Sequence, residues 1–216
     1  MSGAVRENHG EDRTRRHRQF WPCDNRPVEK PVYLVRHGQS EWNLLRLTQG
    51  QTMHPRLTEL GRAQAHAAAD LILEDLAGRA CPRIVSSDLV RAAETAEIIA
   101  GLLECPVTFD KRLREHALGA LEGQPYEEGW SMADHPDWLD PHVRVGGGET
   151  VQEVYDRVGS LLAETTGPVV LVSHGDTIRA AYAWLRGLPV TEGSGVHITN
   201  GAVLRADRLR WLAPPT

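Results

Sequence analysis

The feature that most constrains the fold is a pair of short apolar runs, each ending abruptly in polar side chains. PVYLVRH occupies residues 31–37 and PVVLVSH occupies residues 168–174. Uninterrupted apolar runs of this length are typical of strands that are buried on both faces. Such strands occur in parallel sheets covered by helices, so the chain is predicted to adopt an α/β fold.

Strand-like and helix-like segments alternate between these runs. RIVSS at 83–87, PVTF at 106–109 and AVLRAD at 202–207 are predicted as further strands, and helical periodicity covers 58–77 and a segment near 88–101. This alternation predicts a three-layer α/β/α sandwich with a mostly parallel central sheet.

Several helix boundaries and faces can also be predicted. In the helix at 58–77, a stripe of apolar side chains is predicted to face the core, namely Leu60, Ala63, Ala67 and Leu71. Gly101 is expected to end the following helix.

Two later helices carry capping signals. Thr150 and Glu153 form a predicted capping box at the start of one helix. Asp176 is expected to cap the next helix, which should stop at Gly187.

Two segments stand outside this alternation. Residues 1–30 mix charges without apolar periodicity and are predicted to form a flexible arm, so that the folded domain covers 31–216. Residues 123–148 contain Trp130, Trp138 and a GGG run, and we interpret them as an insertion that forms a lid over the active site.

Composition excludes several classes of protein. The formal net charge of -5 disfavours a nucleic-acid-binding protein, whose binding face is normally basic. The charged amino terminus lacks the apolar stretch of a secretion signal, and no apolar run reaches the roughly 20 residues of a membrane helix. We therefore expect a cytoplasmic protein without membrane contacts. Cys23, Cys81 and Cys105 are odd in number and far apart, which favours reduced thiols.

Reactive side chains follow the predicted strands. Arg36 and His37 end the first strand, His174 ends the strand at 168–174, and Arg91 lies in the helix after RIVSS. In an open α/β sheet, ligands bind beyond the carboxyl ends of the strands, so these residues are predicted to share one pocket. Glu115 follows the strand at 106–109 and can reach the same edge.

The residue types in this pocket indicate a phosphoryl group as the ligand. The guanidinium groups of Arg36 and Arg91 match phosphate oxygens bidentately. The helix that begins at Gly175 adds backbone N–H groups and a favourable dipole.

A histidine in such a pocket can serve as nucleophile, acid or metal ligand. Arginines would repel a metal ion, and no carboxylate pair is present to hold Mg²⁺, so no metal or other cofactor is expected. Covalent transfer through phosphohistidine needs a neutral imidazole, cationic donors and an acid, for which Glu115 is available.

The chain resembles the histidine phosphatase (phosphoglycerate mutase-like) superfamily, and its phosphatase branch in particular. The resemblance covers residues 32 to about 206 and is carried by six blocks in the family's order: RHGQSEWN at 36–43, LTELGRAQA at 57–65, SSDLVRAAETA at 86–96, LREHALGALEG at 113–123, GGETVQEVYDRV at 147–158 and SHGDTIR at 173–179. Gln39 stands where many relatives carry glutamate.

The resemblance implies a role for each site residue. His37 would be the nucleophile and Glu115 the proton donor, while Arg36, Arg91 and a protonated His174 would hold the phosphoryl oxygens. Asn43 would add an amide donor.

Other glutamates and polar residues are weaker candidates. Glu122, Glu127 and Glu128 are alternatives to Glu115 as the acid, and only the family block singles Glu115 out. Gln49, before a predicted turn at Gly50, is a candidate for the pocket wall.

The predicted function is a metal-independent phosphatase that hydrolyses a phosphomonoester of a small metabolite. A phosphoglycerate mutase is the main alternative, and a non-catalytic phosphate-binding module is a third. The sequence leaves the oligomeric state open, with a homodimer as one candidate.

Overall fold

The fold is organised around one six-stranded sheet with the order β3-β2-β4-β1-β5-β6. The computed structural model describes residues 31–79, 81–127, 140–193 and 195–212. The strands are β1 Val32–Arg36, β2 Arg83–Ser86, β3 Val107–Phe109, β4 Val169–Ser173, β5 Val203–Arg205 and β6 Arg210–Trp211. β3, β2, β4 and β1 are parallel, while β5 and β6 are antiparallel to their neighbours.

The two apolar runs form the adjacent central strands β1 and β4, as predicted. Successive side chains alternate between two hydrophobic cores, with Tyr33 and Val35 in one and Val32 and Leu34 in the other. Both faces of β1 and β4 are therefore buried, which explains why their sequences lack polar alternation.

Helices cover both faces, which confirms the predicted three layers. In the described part of the chain they are α1 Glu41–Leu44, α2 Glu59–Leu76, α3 Val90–Leu103, α4 Val151–Glu164 and α5 Gly175–Leu185. Side chains of α2 and α3 pack into the first core, and those of α4 and α5 pack into the second. The capping box at the start of α4 is confirmed, because Thr150 and Glu153 bond each other's backbone N–H groups.

The predicted inner face of α2 is wrong. Leu60 is 54% exposed, and the residues that face the core are Gly61, Ala65, Ala68, Ala69, Ile72 and Leu76. Alanines occupy several sides of this helix, so its sequence gives only a weak periodic signal. Small side chains on the true inner face allow α2 to pack closely against the sheet.

The predicted end of α3 is also wrong. The helix passes through Gly101 and ends at Leu103, where Glu104 adopts a left-handed backbone conformation. Leu103 contributes to the core, whereas Gly101 is exposed, so burial of the last turn outweighs the low helix propensity of glycine.

The expectation of reduced thiols does not hold for Cys81 and Cys105, which form a disulfide with Cα atoms 6.6 Å apart. They precede β2 and β3, and these neighbouring strands are parallel. Parallel pairing brings the starts of both strands to one edge of the sheet, although the cysteines are 24 positions apart.

Two predicted segments reach beyond the described residues. The arm at 1–30 lies outside them, as do Glu128, Trp130 and Trp138 of the predicted lid at 123–148. No helix in the described ranges is long and apolar enough to cross a membrane.

A close contact between Gly61 of α2 and the backbone of Gln39 supports the segment after β1. The Cα of Gly61 faces the backbone of Gln39, and a methyl group there would overlap the Gln39 carbonyl. Gly61→Ala is expected to lower the free energy of unfolding by about 1–3 kcal/mol, because neither backbone segment can move freely. Thermal and urea unfolding would measure the change.

The control for this substitution is Gly101→Ala. Gly101 lies inside α3 with open space where its side chain would be. Alanine should stabilise the protein there by about 0.5–1 kcal/mol, since it restricts the unfolded chain more than glycine does. A stability loss at Gly101 as large as that at Gly61 would contradict the packing argument.

Candidate active site

The site lies where the parallel strands end. Arg36 is the last residue of β1 and pairs in register with Ser173, the last residue of β4. His37 and His174 therefore follow two neighbouring strands, and their ring centroids are 5.0 Å apart. The predicted convergence of these histidines is confirmed by the register of the sheet.

His37 is held as a neutral imidazole. Its Nδ1 lies 2.7 Å from the carbonyl oxygen of Gly38. A carbonyl can only accept, so Nδ1 carries the proton and Nε2 keeps a free lone pair. Burial, together with Arg91 and Arg36, holds the pKa of His37 well below its usual value. The ring is thus in the form that a nucleophile requires.

Two arginines near His37 each carry a buried donor without a partner in the described chain. Arg91 donates from Nη2 to the Gly50 carbonyl at 2.8 Å and from Nη1 to the Thr52 carbonyl at 3.0 Å. Arg36 donates from Nη1 to the carbonyl of Ile198. In both arginines Nε is buried and has no partner within the described chain.

Burial lowers the pKa of both guanidinium groups, to about 10 in Arg91. Arg91 therefore stays charged at neutral pH, and Arg36 is taken as charged because guanidinium groups do not deprotonate in proteins. A buried cation whose donor is unpaired is costly, unless an anion binds it.

His174 is oriented by Ser87. Its Nε2 lies 2.8 Å from the Ser87 hydroxyl, whose oxygen also accepts from Leu89 N–H. The Ser87 hydroxyl can donate its proton to Nε2, and the proton of the neutral ring then lies on Nδ1, a buried atom with no partner in the described residues.

The protonated His174 that the resemblance implied is not favoured in this structure. Burial first, and then Arg91 and His37, keep its pKa well below the usual value. The ring is neutral at neutral pH. It can still donate one hydrogen bond, from Nδ1.

Glu115 lies at the amino terminus of α5. Its Oε1 accepts from Thr177 N–H at 3.2 Å and its Oε2 accepts from Asp176 N–H at 3.4 Å. Burial raises the pKa of Glu115, and the nearby Asp176 carboxylate raises it further. A raised pKa favours the protonated form, which can donate to a leaving group.

Glu122, the rival acid, is engaged elsewhere. Its Oε1 accepts from Gln51 N–H at 3.0 Å, and its Oε2 accepts from the Thr52 hydroxyl at 3.1 Å. These bonds hold the loop at 50–52 whose carbonyls bind Arg91. Glu127 is exposed and pairs with Arg46. The described glutamates thus leave Glu115 as the best placed acid.

Asn43 and Gln49 mainly build the wall of the site. Asn43 Oδ1 accepts from Ser40 N–H at 3.0 Å, which completes a capping box at α1, and its Nδ2 lies 3.5 Å from the Tyr126 hydroxyl. Gln49 is buried, and its Oε1 accepts from the Ser40 hydroxyl at 2.7 Å.

Gly175 begins α5 beside Arg36. A Cβ at this position would lie 3.6 Å from Arg36 Nε and 3.7 Å from Arg179 Nη1, so glycine keeps the space between the two arginines open. Asp176 does not cap α5 as predicted. The N-cap residue is His174, and the Asp176 carboxylate pairs with Arg179 at 2.6 Å.

Sequence reasoning missed three residues of this site. Ser87 orients His174, Arg179 lies near Arg36, and Tyr126 is close enough to influence the pKa values of Arg36 and Arg91. Ser87 and Arg179 lie inside recognisable blocks and could have been found from them. Tyr126 lies in the predicted lid at 123–148, so the sequence marked its segment but not the residue itself.

The family follows from a sequence match that spans the site. Residues 32–210 match the profile of the histidine phosphatase superfamily (branch 1). The chain belongs to this superfamily. The match covers every strand end described above and confirms the resemblance seen in the six blocks.

Named relatives within the histidine phosphatase superfamily have more than one activity. A probable phosphoglycerate mutase GpmB from Salmonella choleraesuis is 37% identical over 195 residues, which cover 84% of this chain and 87% of the relative. A mycobacterial glucosyl-3-phosphoglycerate phosphatase has a similar structure, with a TM-score of 0.67 at 34% identity over 84% of this chain and 95% of that one.

A phosphoserine phosphatase from Entamoeba histolytica, solved in complex with 3-phosphoglyceric acid, gives a TM-score of 0.67 at 28% identity. The alignment covers 80% of this chain and 88% of that chain. These neighbours support phosphatase activity in this branch of the fold, whereas the mutase name leaves the exact reaction open.

Proposed function

We propose that this histidine phosphatase superfamily member is a metal-independent phosphatase that hydrolyses a phosphomonoester of a small metabolite through a phosphohistidine on His37. One observation carries the proposal. Arg36 Nε, Arg91 Nε and His174 Nδ1 are buried and have no partner in the described chain, and these three residues lie near the neutral imidazole of His37. Donors in this arrangement fit the oxygens of one phosphoryl group.

In the first step, His37 Nε2 attacks phosphorus, so that the N–P bond forms as the P–O bond to the alcohol breaks. Glu115 gives its proton to the departing oxygen, and the alcohol leaves neutral. The imidazole gains positive charge in this step, and the Gly38 carbonyl on Nδ1–H stabilises it.

In the second step, water attacks the phosphohistidine. The Glu115 carboxylate takes a proton from this water, the N–P bond breaks, and inorganic phosphate is released. His37 and Glu115 return to their starting protonation states. Arg36, Arg91 and His174 bind the oxygens throughout, as preorganised donors.

No step of this mechanism needs a metal ion. The positive charge that a metal supplies in other phosphatases comes here from Arg36 and Arg91, which would repel a cation at the same place. In the ranges 31–79, 81–127, 140–193 and 195–212, no group of three or more metal-ligating side chains converges.

The phosphatase and phosphoserine phosphatase names among the structural neighbours support a small phosphorylated metabolite as substrate. We propose that the protein binds neither nucleic acid nor a membrane. The cytoplasmic location, the homodimer and the amino-terminal arm stay predictions.

Mutase action is the second candidate, because of the relative named as a mutase. A mutase must return the phosphoryl group to its substrate, so it must exclude water. A substrate carboxylate needs a basic partner, and Arg144 is the sole arginine between Gly123 and Glu149 in the sequence. Its guanidinium instead binds the Gly148 carbonyl and the Glu153 carboxylate. This engagement favours hydrolysis.

Product analysis distinguishes the two reactions. With 3-phosphoglycerate and catalytic 2,3-bisphosphoglycerate in EDTA, we expect at most slow release of phosphate and no rapid formation of 2-phosphoglycerate. A panel of phosphorylated metabolites assayed for free phosphate should identify a faster substrate. Rapid conversion to 2-phosphoglycerate without free phosphate would establish the mutase. Binding of phosphate without turnover of any compound would establish the non-catalytic module.

A further inference from the structure

Arg157 contacts the segment that carries Glu115, although it lies on another helix. From α4 its Nη2 donates to the Glu115 carbonyl at 3.0 Å, and its Nη1 donates to the Arg112 carbonyl at 2.7 Å. Its Nε donates to Glu149 Oε1 at 2.8 Å. The side chain is only 16% exposed. Every nitrogen of the guanidinium is therefore committed to this region.

Glu149 extends the same contacts. Its Oε2 accepts from Ala117 N–H at 3.0 Å and from Gln51 Nε2 at 3.1 Å. Its backbone N–H donates to the Ala117 carbonyl, and its own carbonyl lies 2.8 Å from His116 Nε2. Gln51 Nε2 also donates to the Glu115 carbonyl. Residues 115–117 are thus held by Arg157, Gln51 and both the side chain and the backbone of Glu149, and not by a neighbouring strand.

These contacts matter because residues 115–118 belong to no helix or strand. The bonds from α5 to the Glu115 carboxylate are long, at 3.2 Å and 3.4 Å, so a small backbone shift would break them. An acid that moves by about 1 Å no longer reaches the leaving oxygen well.

We propose that Arg157, with Glu149, is a positioning residue for the general acid. The pair contacts the backbone of the Glu115 segment, and its expected effect on the reaction is the placement of the Glu115 carboxylate. Arg157 also contributes to the lowered pKa of His174, but that effect does not depend on the leaving group. The proposal rests on the proposed function, in which Glu115 protonates the leaving group. It predicts that loss of Arg157 impairs catalysis selectively, for substrates that need an acid.

The experiment compares an alkyl phosphate, whose leaving group is poor, with p-nitrophenyl phosphate, whose leaving group needs little protonation. Arg157→Met should lower kcat on the alkyl phosphate at least about ten-fold more than on p-nitrophenyl phosphate. Arg112→Met is the matched control, because the Arg112 side chain binds Asp110 and Glu164 and does not contact the Glu115 segment. It should leave the ratio unchanged.

Arg157→Met leaves the Glu149 carboxylate without its partner and can weaken folding, so melting temperatures are measured for every variant. The double variant Arg157→Met/Glu149→Gln removes both charges, keeps an oxygen that can accept from Ala117 N–H, and should fold better than Arg157→Met while keeping the selective loss. Equal losses on both substrates in the folded double variant, or an unchanged ratio, would overturn the positioning role.

Glu115→Gln, measured in parallel, separates this proposal from the proposed function. A selective loss in Glu115→Gln but none in the Arg157 variants would reject the positioning role alone. The absence of a selective loss in Glu115→Gln would reject the assigned acid, and the positioning role with it.

Discussion

Replacing His37 with alanine is expected to lower kcat by about four orders of magnitude or more, because the atom that forms the covalent bond is removed. The N–H donors of Arg36, Arg91 and His174, which are proposed to bind the phosphoryl oxygens, would remain. Phosphate or vanadate should therefore still bind to the variant, which separates loss of chemistry from loss of the site. Steady-state kinetics and isothermal titration with phosphate measure the two effects.

The structure changes one expectation about this variant. The position of His37 at a strand end predicts a residue outside the core. In the structure His37 is buried and only 1% exposed. Among the described residues its side chain bonds only to the carbonyl of its neighbour Gly38, so the substitution leaves no distant group of that part of the chain unpaired. We expect a folded protein with a modestly lower melting temperature. His66→Ala, on the exposed side of α2, is the control and should keep full activity.

Chemical trapping tests the same residue directly. Wild-type protein quenched without acid during turnover should carry phosphate in an alkali-stable, acid-labile linkage, and His37→Ala should carry none. Phosphate on serine or aspartate, or undiminished turnover by His37→Ala, would contradict the assignment.

Replacing Glu115 with glutamine is expected to slow alkyl phosphates by about 10²-fold or more and p-nitrophenyl phosphate much less. Glutamine keeps the shape of the side chain but cannot transfer a proton. Its carbonyl oxygen can still accept from Thr177 N–H, so the segment should stay in place. The ratio of the two rates is the measurement.

Glu122→Gln is the matched control for Glu115→Gln. Glu122 holds the loop whose carbonyls bind Arg91. Its loss should therefore weaken phosphate binding by Arg91 and slow both substrates alike. A selective loss on alkyl phosphates in Glu122→Gln, with equal losses in Glu115→Gln, would move the acid to Glu122.

The pKa shifts set the pH dependence of kcat/KM. His37 must be neutral, and its lowered pKa keeps it so at pH values below the usual histidine range. Glu115 must be protonated, and its raised pKa extends that form above the usual glutamate range. Activity on alkyl phosphates should therefore fall as pH rises through the pKa of Glu115. This alkaline limb should disappear in Glu115→Gln.

The sequence alone determined the fold class, the family and the location of the candidate phosphate-binding site. Uninterrupted apolar runs such as 31–37 and 168–174 specify strands buried on both faces, and parallel pairing then brings their last residues together. The polar residues at those ends, Arg36, His37 and His174, were therefore predictable without any knowledge of loops.

Only the tertiary structure decided how these groups are protonated and which glutamate serves the site. The Glu115 carboxylate accepts a hydrogen bond from Thr177 N–H of α5, 62 positions away in the sequence. The Glu122 carboxylate accepts from Gln51 N–H, 71 positions away, and is therefore engaged outside the site. The inner face of α2 and the joining of Cys81 to Cys105 were likewise set by packing and strand pairing. Local sequence encodes periodicity and burial. Hydrogen-bond partners and desolvation depend on segments far along the chain, and these exist only after the chain has folded.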